Sequence, residues 1–294
     1  KKYLQLYKLP DDYVKIRTQL EEYLKTSNQK SSVKKAPDCI RLLQTDRARG
    51  ILSAWSVDQI ETLVKKIDIH QYLRSQPIYE RKEDGSWSRL FDETYIGFDE
   101  LRKKYFSYTD ITQPKHLFLE LCQFLDSRVL ASLTDNYDSI KGYKLSLNLS
   151  ISTVLGVEFA TFVRTVPPED RKNFGFEIHC GDLMQDFEIT LNMLETLRNE
   201  GFSIALDGIT LNMLDYFSFN LLKADVIKID VRKDYARMLD DEHVQKALAA
   251  IGPEKIIFAR CDSKKALEKG TTMGITKFQG FLIDDLVLEN AKKV

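Results

Sequence analysis

From residue 76 onward, short apolar runs alternate with amphipathic stretches of helical spacing. "QPIYER" (76–81) reads as a strand, and "EDGSW" after it holds Asp84-Gly85, a strong hairpin signal. "ETYIGF" supplies the return strand, which we expect to end at Asp99. A helix over about 114–133 precedes the strand "KLSLNLS" (144–150), and a helix near 157–165 precedes the strand "FGFEIH" (174–179). The helix "FEITLNMLETLRNEG" (187–201) leads to the strand "FSIALD", and the short helix "LNMLDYFSF" to the strand "ADVIKID". A helix over 232–250, the strand "KIIFAR" (255–260), the helix "SKKALEKGTT" (263–272) and the strand "ITKFQG" (275–280) complete the series.

Such alternation predicts a mainly parallel sheet with helical crossovers. About eight strands suit a closed barrel, so we expect a TIM-like (β/α)8 barrel with one antiparallel strand from the opening hairpin. The alternative, an open doubly wound sheet, lacks a glycine fingerprint in its first βα turn.

Before residue 76 the pattern is helical. Residues 11–25 space Tyr13, Ile16, Leu20, Tyr23 and Leu24 along one face. Residues 26–38 are polar, basic and carry Pro37, as a linker would. Residues 39–75 return to a helical pattern, in which "SVDQIETLVKKI" has Ser56 and Gln59 at capping-box spacing. The expected organisation is a helical N-terminal extension over 1–75 and a barrel domain over 76–294. The extension would dock on the barrel or serve as a dimerising or signal-transmitting arm.

Composition narrows the function classes. The 294 residues are 43% hydrophobic and 30% charged, with a formal net charge of -1. That is globular composition without a global field for nucleic acid or an anionic membrane. No apolar run is long enough to insert into a membrane, and "KKYLQLYKLPDD" has no signal-peptide centre. Cys39, Cys122, Cys180 and Cys261 show no CxxC spacing, which points to a reducing, cytoplasmic setting. The first residue is not Met, so we expect a longer protein with an upstream sensor or receiver.

In a (β/α) barrel, chemistry gathers at the C-terminal strand ends. The expected strand ends here carry Asp99, Asn148, Glu177, Asp207, Lys228, Asp230, Arg260 and Gln279. Singly, each is an ordinary cap or ion-pair partner. Together, converging carboxylates and an amide repel one another unless a cation sits among them. Oxygen ligands suit Mg²⁺, Ca²⁺ or Mn²⁺. Lys228, Arg260 and Gln279 could hold an anion alongside. The adjacent His179 and Cys180 have no further partner at transition-metal spacing, so a rim pair without metal is expected there.

The segment 76–285 resembles the EAL domain of bacterial cyclic di-GMP phosphodiesterases. "QPIYE" is similar to that family's first strand, and "GFDELRK" stands where it has G-x-E-A-L-x-R. "LSLNLS" resembles v-N-l-S, and "FEIHC" stands for l-E-l-T-E. "ALDGITLN" stands for A-L-D-D-F-G-T-G, "ADVIKID" for D-x-l-K-I-D, "FARCDSKKAL" for v-A-E-G-V-E-T-x-x-q-L, and "KFQGFLID" for the Q-G-y-l segment.

The resemblance implies a (β/α)8 barrel and, in active members, hydrolysis of cyclic di-GMP by two Mg²⁺ or Mn²⁺ ions. It implies metal ligation by Asp99, Asn148, Glu177 and Asp207, with Lys228 beside the attacking water. It implies ligand contacts from Gln76, Leu101, Lys103, Lys228, Arg260 and Gln279. The departures cluster. Gly208 replaces the second Asp, Arg260 a Glu, Cys180 the second Glu of E-x-x-E, and Lys103 an Arg.

We therefore expect a degenerate member that does not hydrolyse, holds at most one Mg²⁺ or Mn²⁺, and acts as a cyclic di-GMP receptor or a protein-interaction module. The expected partners are the dinucleotide, an upstream sensor or other protein, and a second copy in a homodimer. A phosphodiesterase with a modified metal site is the alternative.

Overall fold

The computed structural model describes residues 50–291, apart from 108, 184–186, 216–218, 220, 221 and 223. The amphipathic stretch 11–25, the linker 26–38 and Cys39 lie outside the described residues.

Eight strands close into a barrel: β1 (Leu73–Arg81), β2 (Trp87–Ile96), β3 (Leu145–Asn148), β4 (Phe174–His179), β5 (Ser203–Thr210), β6 (Val226–Asp230), β7 (Ile256–Ala259) and β8 (Lys277–Phe278). β1 runs antiparallel to β2 and β8, and every other neighbouring pair is parallel. The expected barrel with one reversed strand is thus present. Its hairpin turns at Gly85, whose φ of +82° suits glycine, and the Lys82 N–H donates to the Ser86 carbonyl at 2.8 Å.

Alternation along the strands separates two environments. On β4, Phe174, Phe176 and Ile178 are fully buried against the helical layer. Phe176 meets Phe159 and Phe202 with ring centroids 5.1 and 4.9 Å away, and Phe162 meets Phe174 at 5.2 Å. On β5 and β6, Ile204, Leu206, Ile227 and Ile229 belong to the same core. The intervening residues, Glu177, Asp207, Lys228 and Asp230 among them, turn inward.

The described helices of eight residues or more are α1 (Ala54–Val64), α2 (Phe98–Tyr105), α3 (Lys115–Asp135), α4 (Val157–Thr165), α5 (Phe187–Asn199), α6 (Glu242–Ile251), α7 (Lys264–Thr272) and α8 (Phe281–Ala291). α1 is capped by Ser53, whose hydroxyl accepts from the Ser56 N–H, while the Ser56 hydroxyl accepts from the Ser53 N–H. The capping box therefore starts three residues before the expected Ser56–Gln59 pair. Of the expected helical stretch 39–75, residues 39–49 lie outside the described residues, and the described part turns to strand where β1 begins at Leu73.

A second hydrophobic core joins Leu52, Val57, Ile60, Leu63 and Tyr72 to Leu101, Tyr105, Phe106, Leu121 and Leu125. β2 ends at Ile96, short of the expected Asp99. Gly97 breaks the strand and caps α2, and Asp99 and Glu100 take that helix's first turn, where negative charge is favoured. Among the described residues, no helix is long and apolar enough to cross a membrane.

Candidate functional site at the barrel rim

One end of the barrel, where β1 starts and the other strands end, holds a cavity of about 390 Å³ lined by Gln76, Glu93, Tyr95, His179, Asp207, Gly208, Thr210, Lys228, Asp230, Arg232, Ala259, Arg260 and Gln279. At its floor, the Lys228 ammonium donates to Glu93 Oε2 and Glu177 Oε2, each at 2.6 Å. The Lys228 and Glu177 side chains are 3% and 0% exposed, so solvent screens neither.

The remaining carboxylate oxygens are also engaged. Glu93 Oε1 accepts from Asn148 Nδ2 at 2.6 Å, and Glu93 Oε2 accepts in addition from Gln279 Nε2 at 2.7 Å. Glu177 Oε1 accepts from the Ser146 hydroxyl at 2.7 Å. Strand register builds this arrangement, since Gln76 pairs with Glu93, Glu93 with Ser146, and Asn148 with Glu177 across β1 to β4.

The charges settle unequally. Burial works to raise the Glu93 carboxyl's pKa, but Lys228, Gln279 and Asn148 outweigh it and hold it below the usual value. Glu177 loses all its hydration; that loss dominates over Lys228, Glu93 and Asp207 add to it, and the carboxyl is pushed up to about 7. Lys228 suffers desolvation too, yet Glu177, Glu93 and Asp207 together raise it above the ordinary lysine value. The cluster is an ammonium shared by two carboxylates.

Above this floor the β5–β6 register shifts between Leu206 and Ile209, a bulge that lifts Asp207 and Gly208 to the rim. Gly208 has φ +75°. A Cβ there would lie 2.3 Å from His179 Nε2 and 2.6 Å from Cδ2 of the same ring. The ring is steered by the Gly181 N–H, which donates to His179 Nδ1 at 3.0 Å, and Cys180 Sγ donates to the Gly208 carbonyl at 3.2 Å.

Asp230, which pairs with Thr210 at the end of its strand, is nonetheless well buried, with its side chain 10% exposed. Oδ1 accepts from the Arg232 backbone N–H and from Arg232 Nε, both at 3.1 Å. Oδ2 accepts from Arg232 Nε and Arg260 Nη1, both at 3.0 Å, and from Arg232 Nη2. Burial would raise the Asp230 carboxyl's pKa; the hydrogen bonds from Arg232 and the two guanidinium charges hold it low instead.

Of the residues expected at a site, Gln76, Asp207, Lys228, Arg260 and Gln279 line the cavity, and Asn148 and Glu177 join its floor. Three do not come here. The Asp99 side chain is 84% exposed on α2 and faces Arg102, Leu101 is fully buried in the second core, and Lys103 is exposed on α2. The cause is the early end of β2 at Ile96, after which Gly97 caps α2 and "FDELRK" continues as helix instead of strand. Glu93, Tyr95 and Arg232 are the residues that sequence reasoning missed. An acid inside a strand is a readable signal, because burying it is costly unless polar partners meet it.

The oxygen donors of Glu93, Asn148, Glu177 and Asp207 chemically suit one hard cation. As placed, Lys228 fills the space between two of them, and no group of three or more His, Cys, Asp or Glu poised for a metal occurs among the described residues. For a second ion, position 208 offers no carboxylate, and the Asp230 carboxylate is already engaged by Arg232 and Arg260.

Comparison with known proteins bears on this rim. No curated protein matches the chain. Among solved structures, the S helix-GGDEF-EAL structure of Vibrio cholerae LapD, bound to c-di-GMP, is similar at 16% identity and TM-score 0.53 over 77% of this chain. The chain covers 57% of that one, less than two thirds of its length. The EAL domain of Xanthomonas citri FimX in complex with c-diGMP is similar at 10% identity and TM-score 0.51, over 80% of this chain and 94% of that one. A Klebsiella pneumoniae manganese and cyclic di-GMP complex aligns at 16% identity and TM-score 0.50, over 72% of this chain and 54% of that one. These likenesses speak for the fold. The EAL domain model matches residues 110–284, more than half of the chain, a span that supplies Asn148, Glu177, Asp207, Lys228 and Gln279, and the chain belongs to the EAL domain family.

Proposed function

We propose that this chain is a non-hydrolytic EAL domain of cyclic di-GMP signalling and receives the dinucleotide at its barrel rim. The observation that carries the reading is the pairing of Gly208 with His179, in which an imidazole fills the space that a second acid would need. Hydrolysis through two ions requires both to be seated, one for the attacking water and one for the leaving oxygen. Glu93, Asn148, Glu177 and Asp207 would hold a single Mg²⁺ or Mn²⁺ once Lys228 moved aside. Such an ion would polarise a phosphoryl oxygen or a bound water. The chain's own residues do the rest: Gln279 and Asn148 hold Glu93 at the floor, and Arg232 and Arg260 present positive charge to an incoming phosphate.

A cytoplasmic setting fits the reading, as does input from a sensor on the same polypeptide. The Vibrio relative joins an S helix and a GGDEF segment to its EAL domain. A protein partner or a second copy of the chain would carry the output. Isothermal titration with cyclic di-GMP tests the proposal; heat of binding with the dinucleotide recovered intact is the expected result. Absence of heat at high protein concentration removes the receptor and leaves a module that acts through protein contact alone.

One observation favours a second reading. With Glu93 in place of the expected Asp99, one complete set of oxygen donors survives around Lys228. A phosphodiesterase with a modified metal site would use that set, and its turnover would vanish in Glu177→Ala.

A further inference from the structure

Asp230, Arg232 and Arg260 form a unit whose charges do not cancel. One carboxylate carries two guanidinium groups, leaving a single positive charge at the cavity wall. The acid is 10% exposed, while the Arg232 and Arg260 side chains are 43% and 63% exposed, so the negative charge is inside and the positive charge outside. Arg232 alone satisfies both carboxylate oxygens. Asp230 therefore does not need Arg260 for neutralisation, and Arg260 is the surplus cation.

Arg260 is held in an unusual way. Its φ is +53°, and no other non-glycine among the described residues has a positive φ. A left-handed arginine persists only where its surroundings over-determine it, and such positions gather at ligand sites. One of its donors, Nη1, is used on Asp230; Nε and Nη2 bond to nothing among the described residues. Arg232 is steadied by the Tyr235 ring, 5.5 Å from its guanidinium carbon. Two planar forks anchored on one buried acid, with donors left over, match the oxygens of a phosphate. Tyr95, 42% exposed, lines the same cavity and offers a face on which a base can stack.

We propose that Arg232 and Arg260 form a metal-independent clamp for a phosphodiester anion, with Arg260 supplying the charge that an ion would otherwise provide. The clamp rests on reading the rim as a dinucleotide site, and it adds which residues grip the phosphate and that no divalent ion is needed.

Titrate the full chain with cyclic di-GMP, with GMP and with inorganic phosphate, each in excess EDTA, for the wild type, Arg260→Ala, Arg260→Lys and Arg232→Ala. Thermal melts accompany each variant, and Arg260 is exposed enough for its replacement to leave the core packed. Expected are binding of cyclic di-GMP in EDTA, a loss of tenfold or more in Arg260→Ala and in Arg232→Ala, and a smaller loss in Arg260→Lys, which keeps charge without the fork. Phosphate should compete weakly, and GMP should rank between the two. Binding that appears only with Mg²⁺ or Mn²⁺, equal affinity in all variants, or no binding of any probe overturns the clamp. Binding of phosphate or GMP without cyclic di-GMP supports the clamp and removes the receptor reading. Hydrolysis of cyclic di-GMP refutes the non-hydrolytic reading and leaves the clamp to be judged on the EDTA titrations.

Discussion

His179 stands where a side chain at Gly208 would project, its Nε2 only 2.3 Å from the position of a Cβ there. The two residues sit on neighbouring strands, and His179 pairs in register with Asp207. The imidazole and the glycine are therefore one feature, in which the ring occupies what the missing side chain leaves.

That relationship predicts coupling. Gly208→Asp should destabilise the chain by about 1–3 kcal/mol, since a φ of +75° disfavours any residue with a Cβ and the ring must give up its bond from the Gly181 N–H. His179→Ala in the same chain should recover part of the loss, with a coupling of about 1 kcal/mol. Chemical denaturation of the two single variants and the double variant measures it. Strictly additive losses would show that the ring and the missing side chain do not compete.

Lys228→Met should cost roughly 3–5 kcal/mol, because it leaves Glu93 and Glu177 facing each other in a buried floor without a cation. Adding Glu177→Gln should restore more than 1 kcal/mol of that. The loss should also shrink as pH falls. Without the ammonium both carboxyls have raised folded pKa values, and such groups stabilise the native state only while they hold their protons. A loss of stability that does not change between about pH 4 and pH 8 contradicts the shared-ammonium arrangement.

Asp126 offers a pH test away from the rim. It lies on α3, accepts weakly from the Ser150 N–H at 3.3 Å, and is pushed up to about 7, first by burial and to a lesser degree by Asp182. The native carboxyl keeps a proton that the unfolded chain releases near its ordinary value of 3.8. Stability is therefore lost as pH rises from that value to about 7, by up to on the order of 4 kcal/mol. Asp126→Asn should raise the melting temperature at about pH 8 and leave it nearly unchanged at about pH 4. An equal shift at both pH values would show that Asp126 is ionised in the fold.

Much of the barrel is legible in the sequence because strands buried on both faces stay apolar while one side alternates. Phe174, Phe176 and Ile178 bracket Glu177 in just this way, and the same pattern places Asp207 and Lys228. The front of the barrel is harder to read. β2 carries mixed polarity, so nothing in its pattern marks Ile96 as its end, and the acidic "FDE" that follows belongs equally to a strand tip or a helix start. That ambiguity suggests a rim position for Asp99, whereas it is Glu93 that reaches the rim, through register with Gln76 and Ser146. Arg232 is legible only in three dimensions, since its role depends on sharing Asp230 with Arg260, which follows the neighbouring strand β7.

The decisive measurement is turnover. The chain should be incubated with cyclic di-GMP and excess Mg²⁺ or Mn²⁺, and linear dinucleotide followed by chromatography. No product above background is expected from the wild type, Glu177→Ala or Lys228→Met alike. Sustained formation of linear dinucleotide by the wild type, abolished in Glu177→Ala, would contradict a non-hydrolytic rim and show that one set of oxygen donors suffices for catalysis.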